Sequence, residues 1–537
     1  MITTMAARRF GSRRQAMRGM VPRTVRLIAL AAAVLATNPS VSIAAGPPTA
    51  TTLQGKAQGK LINEGKVRAF LGLPYAAPPV GQLRWKAPEP PASWQGVRDA
   101  TKFGSRCAQW HIWNDYLFLD SGPSEDCLYL NVYSPLNANN VHRMPVMFWI
   151  HGGGFLAGAG SEPRYTNSAL PLQGVVLVTI NYRLNVFGFL ASEDLVKEGG
   201  GAAGNYALMD MIAALRWVKA NIAGFGGDPN NVTIFGESAG SFAVSMLMAA
   251  PSARGLFHKA IGESGASFGG VLPAGPLAER GRIDQTWVES LGAHSLAELR
   301  AMPTDKLLDA AKARGGGGGA PVIDGRVLTE GVPETYAAGR EARVPLLAGW
   351  NRDERTNTLS KGMTAGKWKT YAAEQYGNRA GEFLAAFPGK TDEESVQSAD
   401  AFTTDAFIAF STWKWIEAHT ATGEAPVYRY RFDLPATPSE MHPEGKYAWH
   451  SDELEYVFGT LDVRRGAQWR PEDRELSGQM IRYWTNFART GDPNGAGLPH
   501  WPRYDKEKSL LHLDQTIISG ADTARPQFEF LLKIPQR

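Results

Sequence analysis

The sequence predicts an α/β protein with a large, mostly parallel central sheet and helices on both faces of that sheet. Residues 145–150 and 175–180 are short, continuous apolar runs, as expected of strands buried on both faces. Residues 205–223 carry apolar side chains at helical spacing. Buried strands alternating with such helices are typical of a parallel sheet.

The same alternation continues along the chain. Residues 232–235 are the next predicted strand, and a predicted helix at 242–250 ends at Pro251. Later strands are predicted at 344–348 and 427–432. We find no internal repeat, and large α/β enzymes reach this length around one sheet. We therefore expect residues 46–537 to form a single domain.

Composition and charge exclude several classes of protein. The chain has 537 residues, of which 44% are hydrophobic and 20% charged, so it is neither disordered, collagen-like nor coiled-coil. Its formal net charge is +4, but residues 1–45 contain seven arginines and no acidic residue. Without them the chain is slightly acidic, so no nucleic-acid partner is expected.

Residues 1–45 have the pattern of a signal peptide. Arginines precede an apolar run at 27–36, and small residues follow at 42–45, at the spacing of a cleavage site. The run is too short for a bilayer core that needs about 20 residues, and no other segment is long and apolar enough to span one. We expect an exported protein, periplasmic or secreted; an uncleaved membrane anchor is the alternative.

The two cysteines support the same compartment. Cys107 and Cys127 are an even pair separated by a polar, aromatic-rich segment, which predicts one disulfide in an oxidising space. A metal site is the alternative, but the chain contains neither a CxxC motif nor a tight cluster of histidine and cysteine. No metal or cofactor is expected.

A nucleophilic serine is predicted at residues 236–240, which read Gly-Glu-Ser-Ala-Gly. A serine at a sharp strand-to-helix turn needs small neighbours because the backbones crowd there. The pattern also occurs at 265–269, so context must separate the two matches. Ser238 follows an apolar strand and begins a helix, whereas Ser267 is followed by two glycines and then Pro273. We predict Ser238 as the nucleophile and Ser267 as a loop serine.

An oxyanion hole is predicted at residues 151–155, which read His-Gly-Gly-Gly-Phe and follow the first predicted strand. Residues without side chains let backbone N–H groups approach one oxygen, whereas the alternative is a flexible connector. Gly153, Gly154 and Ala239 are the predicted donors. His151 precedes the serine, so we interpret it as an orienting residue beside the hole and not as the base.

These segments resemble the type B carboxylesterases, the cholinesterase-like family of the α/β-hydrolase fold. The resemblance covers nearly the whole chain after residue 45. The strings that carry it are residues 70–81, 83–85, 124–132, 181–183, 204–206, 225–230 and 235–240. It implies a serine carboxylic-ester hydrolase that acts on small-molecule esters through a Ser-His-Glu triad and an acyl-enzyme. It also implies a disulfide between Cys107 and Cys127.

The resemblance also selects the acid and the base. Spacing alone does not choose between Asp353 and Glu354, which both follow a predicted strand, whereas the family motif identifies Glu354. The family usually has glycine where this chain has Arg355. Among the later histidines, His450 begins a string that matches the family's histidine motif, and His442 matches nothing.

Two other functions remain open at this stage. An interfacial lipase would need a mobile apolar lid, for which the aromatic residues at 110–118 are candidates, although they also suit the wall of an ordinary gorge. A catalytically silent binding protein of the same family would lack the serine or the histidine, and both are present. In related esterases a three-glycine loop accompanies hydrolysis of esters of crowded alcohols.

Overall fold

One large sheet organises the part of the chain that the computed structural model describes: residues 46–534 without 140, 167, 316–318, 356, 357, 424 and 506. Within these residues the sheet has eleven strands. In chain order, β1 to β11 are Lys60–Ile62, Val67–Pro74, Tyr129–Pro135, Met144–Ile150, Val176–Ile180, Gly227–Glu237, Lys259–Glu263, Leu346–Asn351, Val427–Phe432, Ser509–Leu513 and Ile518–Ala521.

The strands are arranged in the order β1-β2-β3-β5-β4-β6-β7-β8-β9-β10-β11. Neighbouring strands from β5 across to β10 run parallel. Antiparallel strands extend the sheet at both ends. The predicted α/β class with a mostly parallel sheet is confirmed.

Helices connect the strands and cover the sheet. In the described residues, α1 to α16 are Ala169–Leu172, Asn185–Phe189, Glu193–Glu198, Tyr206–Asn221, Ala239–Ala249, Leu277–Ser290, Leu296–Ala301, Thr304–Ala313, Val332–Ala337, Ala365–Tyr376, Ala380–Ala386, Asp392–Thr404, Phe410–Ala421, Leu454–Phe458, Pro471–Thr490 and Arg525–Leu532. A π-helical segment, Asp405–Ala409, joins α12 to α13. Short strands outside the main sheet are Thr49–Thr52, Gly55–Gln58, Val97–Asp99, Arg106–Cys107, Pro123–Ser124, Gly275–Pro276 and Val322–Ile323.

Strand β4 is apolar throughout because it is buried on both faces of the sheet. Val146, Phe148 and Ile150 belong to the hydrophobic core on one face of the sheet, whereas Met147 and Trp149 belong to the core on the other face. Successive side chains of a strand point to opposite faces, so a strand covered on both faces has no polar position. The strands predicted at 145–150 and 175–180 are confirmed, with bounds of Met144–Ile150 and Val176–Ile180.

Two helix boundaries differ from the prediction. Helix α4 ends at Asn221, because a 3₁₀ turn at Ile222–Phe225 follows it and Gly226 adopts a left-handed conformation with φ of 84°. Helix α5 begins at Ala239, three residues before the predicted start. Gly240 and Ser241 are poor helix formers, so propensity alone placed the start too late.

The predicted signal peptide, residues 1–45, lies outside the described residues. From Pro47 onward the described chain forms one compact unit. None of its helices is long and apolar enough to cross a membrane.

Candidate active site

Ser238 occupies a sharp turn between β6 and α5. Its backbone has φ of 53° and ψ of −123°, a conformation that is strained for any residue with a side chain. The turn is compact because a Cβ at Gly236 would lie 2.6 Å from the carbonyl carbon of Gly240, and one at Gly240 would overlap the Ile150 carbonyl oxygen. The Ser238 N–H donates to the Glu263 carbonyl at 2.9 Å. Both glycines are therefore required for this turn.

The structure brings together the serine, the histidine and the acid that the sequence selected. His450 Nε2 lies 2.9 Å from Ser238 Oγ, and His450 Nδ1 lies 2.5 Å from Glu354 Oε2. The second carboxylate oxygen of Glu354 accepts the N–H of Asn351 at 2.7 Å and the hydroxyl of Ser264 at 2.5 Å. Glu354 is therefore held in one orientation, with one oxygen aimed at the imidazole.

The rejected acid, Asp353, has a different position and different partners. Its Oδ2 accepts the N–H of Ala448 at 2.9 Å, and its own N–H donates to the Ala448 carbonyl at 3.0 Å. Arg352 donates to the same carboxylate at 2.8 Å. Asp353 thus fixes the loop that carries His450 without contacting the imidazole.

The rejected histidine and the rejected serine also lie outside this constellation. His442 Nε2 lies 3.2 Å from Asp452 Oδ1, and its ring stacks on Trp449. Ser267 is buried in a loop, where its N–H donates to the hydroxyl of Ser245 at 2.9 Å. No histidine of the described chain hydrogen-bonds to Ser267 Oγ.

A buried carboxylate that the sequence reasoning missed lies beside the histidine. Glu237 Oε1 is 3.2 Å from His450 Nε2 and accepts the hydroxyl of Ser451 at 2.6 Å. Burial by itself would lower the pKa of His450, but the negative charges of Glu237 and Glu354 outweigh it and raise the pKa to about 9. Burial likewise raises the pKa of Glu237, and the neighbouring His450 opposes that shift.

A second missed carboxylate is Glu453, which accepts a hydrogen bond from the side-chain amide of Asn351. Burial raises its pKa well above the ordinary value, and the charge of Glu237 adds to that shift. The sequence could have indicated that Glu237 is buried, because it directly precedes Ser238 at the end of β6, whose second half is buried throughout. For Glu453 the sequence offered only one indication, its position three residues after His450.

The glycine loop packs directly against the serine turn. A Cβ at Gly152 would lie 2.8 Å from the carbonyl oxygen of Glu237. Gly153 and Gly154 both have positive φ, 97° and 62°. Within the described residues no acceptor is found for the N–H groups of these two glycines. Ala239 is the first residue of α5, where N–H groups lack an intrahelical acceptor, so three unpaired donors lie in this region.

His151 packs against the glycine loop, beside the predicted oxyanion hole. It is fully buried, its ring stacks on Tyr182 at a centroid distance of 4.3 Å, and Nδ1 donates to the Gly152 carbonyl at 2.9 Å. Burial lowers the pKa of His151 to about 4, so this imidazole is neutral and unsuited to hold a charge.

The disulfide-linked segment 107–127 borders the glycine loop. Cys107 and Cys127 form a disulfide. The Gln109 side chain donates to the carbonyls of Cys107 and Gly158 and accepts the Gly158 N–H, at 2.9–3.0 Å. The hydroxyl of Tyr116 would lie 3.3 Å from a Cβ placed on Gly153, so the aromatic segment borders the glycine loop.

Arg355 and Phe407 border the site near the histidine. The Phe407 ring meets the His450 ring edge-on at a centroid distance of 5.3 Å. The Arg355 guanidinium lies 5.5 Å from the centre of the Phe407 ring. Arg355, which stands where the family usually has glycine, is thus separated from the His450 imidazole by the Phe407 ring. No described group of three or more His, Cys, Asp or Glu residues is suited to hold a metal ion.

Known proteins are similar to this chain in both sequence and structure. Residues 46–530 match the model of the carboxylesterase family. The chain is 36% identical over 489 residues to fumonisin B1 esterase of Sphingopyxis macrogoltabida, covering 85% of each protein. It is 35% identical over 530 residues to cocaine esterase of Homo sapiens, covering 91% of this chain and 92% of that protein. The structure is similar to carboxylesterase EST55 of Geobacillus stearothermophilus, with a TM-score of 0.76, 36% identity and coverage of 89% and 99%.

Proposed function

The chain belongs to the carboxylesterase family and is a carboxylic ester hydrolase, and on this premise we propose that Ser238, His450 and Glu354 carry out its reaction. The observation that carries the proposal is the continuous chain of hydrogen bonds from Ser238 Oγ through the imidazole to Glu354. A serine hydroxyl becomes a nucleophile when a positioned base can take its proton.

In the proposed reaction Ser238 Oγ attacks the ester carbonyl carbon while its proton moves to His450 Nε2. Collapse of the tetrahedral intermediate breaks the bond to the alcohol oxygen, and the imidazolium returns the proton to the departing alcohol. Water then attacks the acyl-enzyme with the same histidine as base. This second half releases the carboxylic acid and restores the serine hydroxyl.

Glu354 is proposed to orient and stabilise the histidine. Its hydrogen bond to Nδ1 keeps the proton on that nitrogen and leaves Nε2 free to accept. The carboxylate also stabilises the imidazolium when it forms. Because Asn351 and Ser264 hold the second oxygen, the acid does not reorient during the reaction.

The oxyanion of the intermediate is proposed to bind the N–H groups of Gly153, Gly154 and Ala239. These donors have no partner to give up within the described chain, and Ala239 adds the positive end of a helix. Each donor of this type contributes about 3 kcal/mol to the transition state.

The protein is also proposed to be exported as one domain, residues 46–537, after removal of residues 1–45. The disulfide supports an oxidising compartment, and the described helices include none that could span a membrane. Detection of the protein in periplasmic or culture fractions, with a mature N-terminus near residue 46, would test this.

The function is tested by a panel of p-nitrophenyl esters of increasing acyl length. We expect hydrolysis of short acyl chains by the unmodified enzyme and a loss of about 10⁵-fold or more in kcat for Ser238→Ala. Ser267→Ala is the matched control, since it changes the second serine of the same motif, and it should retain activity. An organophosphate should leave its adduct on Ser238; an adduct mapped to Ser267 would refute the assignment.

The same panel separates the two alternatives. Activity that rises abruptly above the solubility limit of the substrate would favour an interfacial lipase. A complete lack of turnover on every ester would favour a silent binding protein. Trp113 and Leu117 of the aromatic segment are partly exposed. Exposed apolar side chains of this kind are the observation that supports the lipase as an alternative.

A further inference from the structure

Charges of opposite sign border the ester site. Glu237 places a carboxylate 3.2 Å from His450 Nε2. The Arg355 guanidinium lies 5.5 Å from the centre of the Phe407 ring, and that ring meets the same imidazole edge-on at 5.3 Å. The site is therefore negative beside the serine turn and positive beside Phe407.

Arg355 is an exposed arginine without a counter-ion. Its side chain is exposed, and no carboxylate of the described chain forms an ion pair with it. The two acidic residues just before it are engaged elsewhere, Asp353 with Arg352 at 2.7 Å and Glu354 with His450 at 2.5 Å. An unpaired guanidinium at the edge of a reaction site can bind a carboxylate through two parallel hydrogen bonds.

The segments next to Phe407 add no compensating negative charge. A Cβ placed on Gly270 would lie 3.8 Å from the Phe407 carbonyl oxygen, so the loop after β7 packs on this side. Residues 265–276 of that loop contain no charged side chain. Residues 355–361 and 407–416 contain three basic residues and no acidic one. A negatively charged group of a substrate would therefore meet attraction and no repulsion there.

Lys414 adds to the positive charge of this side. Its Nζ would lie 3.2 Å from a Cβ placed on Gly269, and it lies 4.3 Å from the centre of the Phe410 ring. Burial lowers the pKa of Lys414 to about 8, so the amine is mostly protonated at neutral pH. Asp405 is buried, and burial raises its pKa well above the ordinary value, so it adds no exposed negative charge.

We propose that the ester site prefers substrates that carry a carboxylate in addition to the ester, and that Arg355 binds this carboxylate. The inference rests on the proposed function, since it places the ester at Ser238 and His450. The carbon chain between the two groups would pack along the Phe407 ring, which lies between the guanidinium and the imidazole. Repulsion from Glu237 keeps the carboxylate away from the serine turn. Because the family usually has glycine at position 355, this preference would distinguish the chain from relatives that have glycine there.

The proposal is tested with three methyl esters of similar length. Monomethyl adipate carries a carboxylate, methyl adipamate is its neutral amide, and methyl 6-aminohexanoate carries an ammonium group. For the unmodified enzyme we expect kcat/KM to be at least about fivefold higher for the carboxylate than for the amide, and lowest for the ammonium ester. Salt screens exposed charges, so this advantage should shrink as the ionic strength is raised.

Substitution of the arginine should change the preference. Arg355→Gln should lower kcat/KM for monomethyl adipate at least about fivefold more than for methyl adipamate, mainly through KM, because a bound carboxylate contributes to ground state and transition state alike. Arg355→Lys should retain part of the preference, and Arg355→Glu should favour methyl 6-aminohexanoate over monomethyl adipate. Arg282→Gln is the matched control, since it removes the same charge from an exposed position on α6 and should leave the ratio unchanged.

The outcomes separate this inference from the proposed function. Turnover of methyl adipamate without a preference for monomethyl adipate would overturn the role of Arg355 and leave the triad unaffected. Equal losses on the two esters in Arg355→Gln, or an equal fall of the ratio in Arg282→Gln, would also overturn it. A lack of turnover on all three esters would overturn both proposals.

Discussion

Glu237 Oε1 lies 3.2 Å from His450 Nε2, on the same edge of the imidazole that faces Ser238 Oγ. The proposed base therefore lies between two carboxylates, since Glu354 holds the opposite nitrogen. Two negative charges stabilise the protonated imidazole, and they outweigh the cost of burying it. The same arrangement that favours the imidazolium during the reaction makes the resting histidine a stronger base than usual.

The first prediction concerns pH. Because the pKa of His450 is raised to about 9 and the reaction needs a neutral imidazole, kcat/KM should rise with pH and reach half its maximum near pH 9. Glu237→Gln removes one negative charge, so the midpoint should move down by about 1–2 pH units. Profiles of kcat/KM for a neutral ester between pH 5 and 10 measure this. An unchanged midpoint would show that Glu237 does not act on the histidine through its charge.

The second prediction separates adjacent carboxylates. Glu354→Gln should lower kcat by about 10⁴-fold, because an amide cannot stabilise the imidazolium and favours the wrong tautomer. Asp353→Asn should cost less than about tenfold, since the asparagine oxygen still accepts the Ala448 N–H. Steady-state kinetics on one p-nitrophenyl ester compares the two. If Asp353→Asn is the more damaging change, the acid has been assigned to the wrong residue.

The third prediction uses the strain at the serine. Ser238 has φ of 53° and ψ of −123°, a conformation that glycine adopts more readily than alanine or serine. Ser238→Gly should therefore unfold with a free energy about 1 kcal/mol higher than Ser238→Ala. Both variants lack the hydroxyl and should be inactive, so chemical denaturation of the pair isolates the backbone effect. Equal stabilities would mean that the surrounding fold, and not the residue, sets the strain.

The fourth prediction concerns the disulfide. Reduction of the Cys107–Cys127 bond should lower the free energy of unfolding by about 3 kcal/mol, from the entropy of the loop it closes. Gln109 bridges Cys107 to Gly158 near the glycine loop, so activity should fall together with stability. Denaturation with and without reductant measures the first effect, and Cys107→Ser/Cys127→Ser should reproduce it. Unchanged activity in the reduced enzyme would show that Gln109 alone holds this contact.

The serine turn was predictable from the sequence because each of its parts depends on residues that are adjacent in the chain. A buried strand, small flanking residues and a following helix all appear in consecutive residues around Ser238. Neighbouring residues could not decide between Asp353 and Glu354 as the acid, because both follow β8. It depends on which carboxylate the distant Ala448 engages, and the chain separates these groups by more than ninety residues.

Buried charges were the least predictable features. Glu237 directly precedes Ser238 and Glu453 follows His450 by three residues, and no periodicity indicates that both are buried. Asp405 lies in a π-helical segment, a local departure from α-helical spacing that apolar patterning does not reveal. Glu237 and Glu453 violate the rule that charges stay exposed, and such violations concentrate where a protein binds or reacts.

The fifth prediction concerns substrate shape and depends on the glycine loop. Gly153→Val is a poor probe, because a Cβ at Gly153 would overlap the Ala157 carbonyl oxygen and displace the donors. At Gly154 the nearest atoms to an added Cβ are 3.9 Å away on Leu156 and 4.0 Å away on Trp113, so an alanine fits there and narrows the space beside the hole. The left-handed φ of 62° at this position costs alanine about 1 kcal/mol.

The unmodified enzyme is therefore expected to hydrolyse tert-butyl or linalyl acetate as well as ethyl acetate. If the glycines provide room for a crowded alcohol, Gly154→Ala should lower kcat/KM for the tertiary ester at least tenfold more than for ethyl acetate. The ratio of the two losses cancels any shared disturbance of the donors, since both esters form the same oxyanion. Equal losses would show that the glycines serve the oxyanion alone. Absence of turnover on every tertiary ester would refute the role of space, while leaving the proposed triad unaffected.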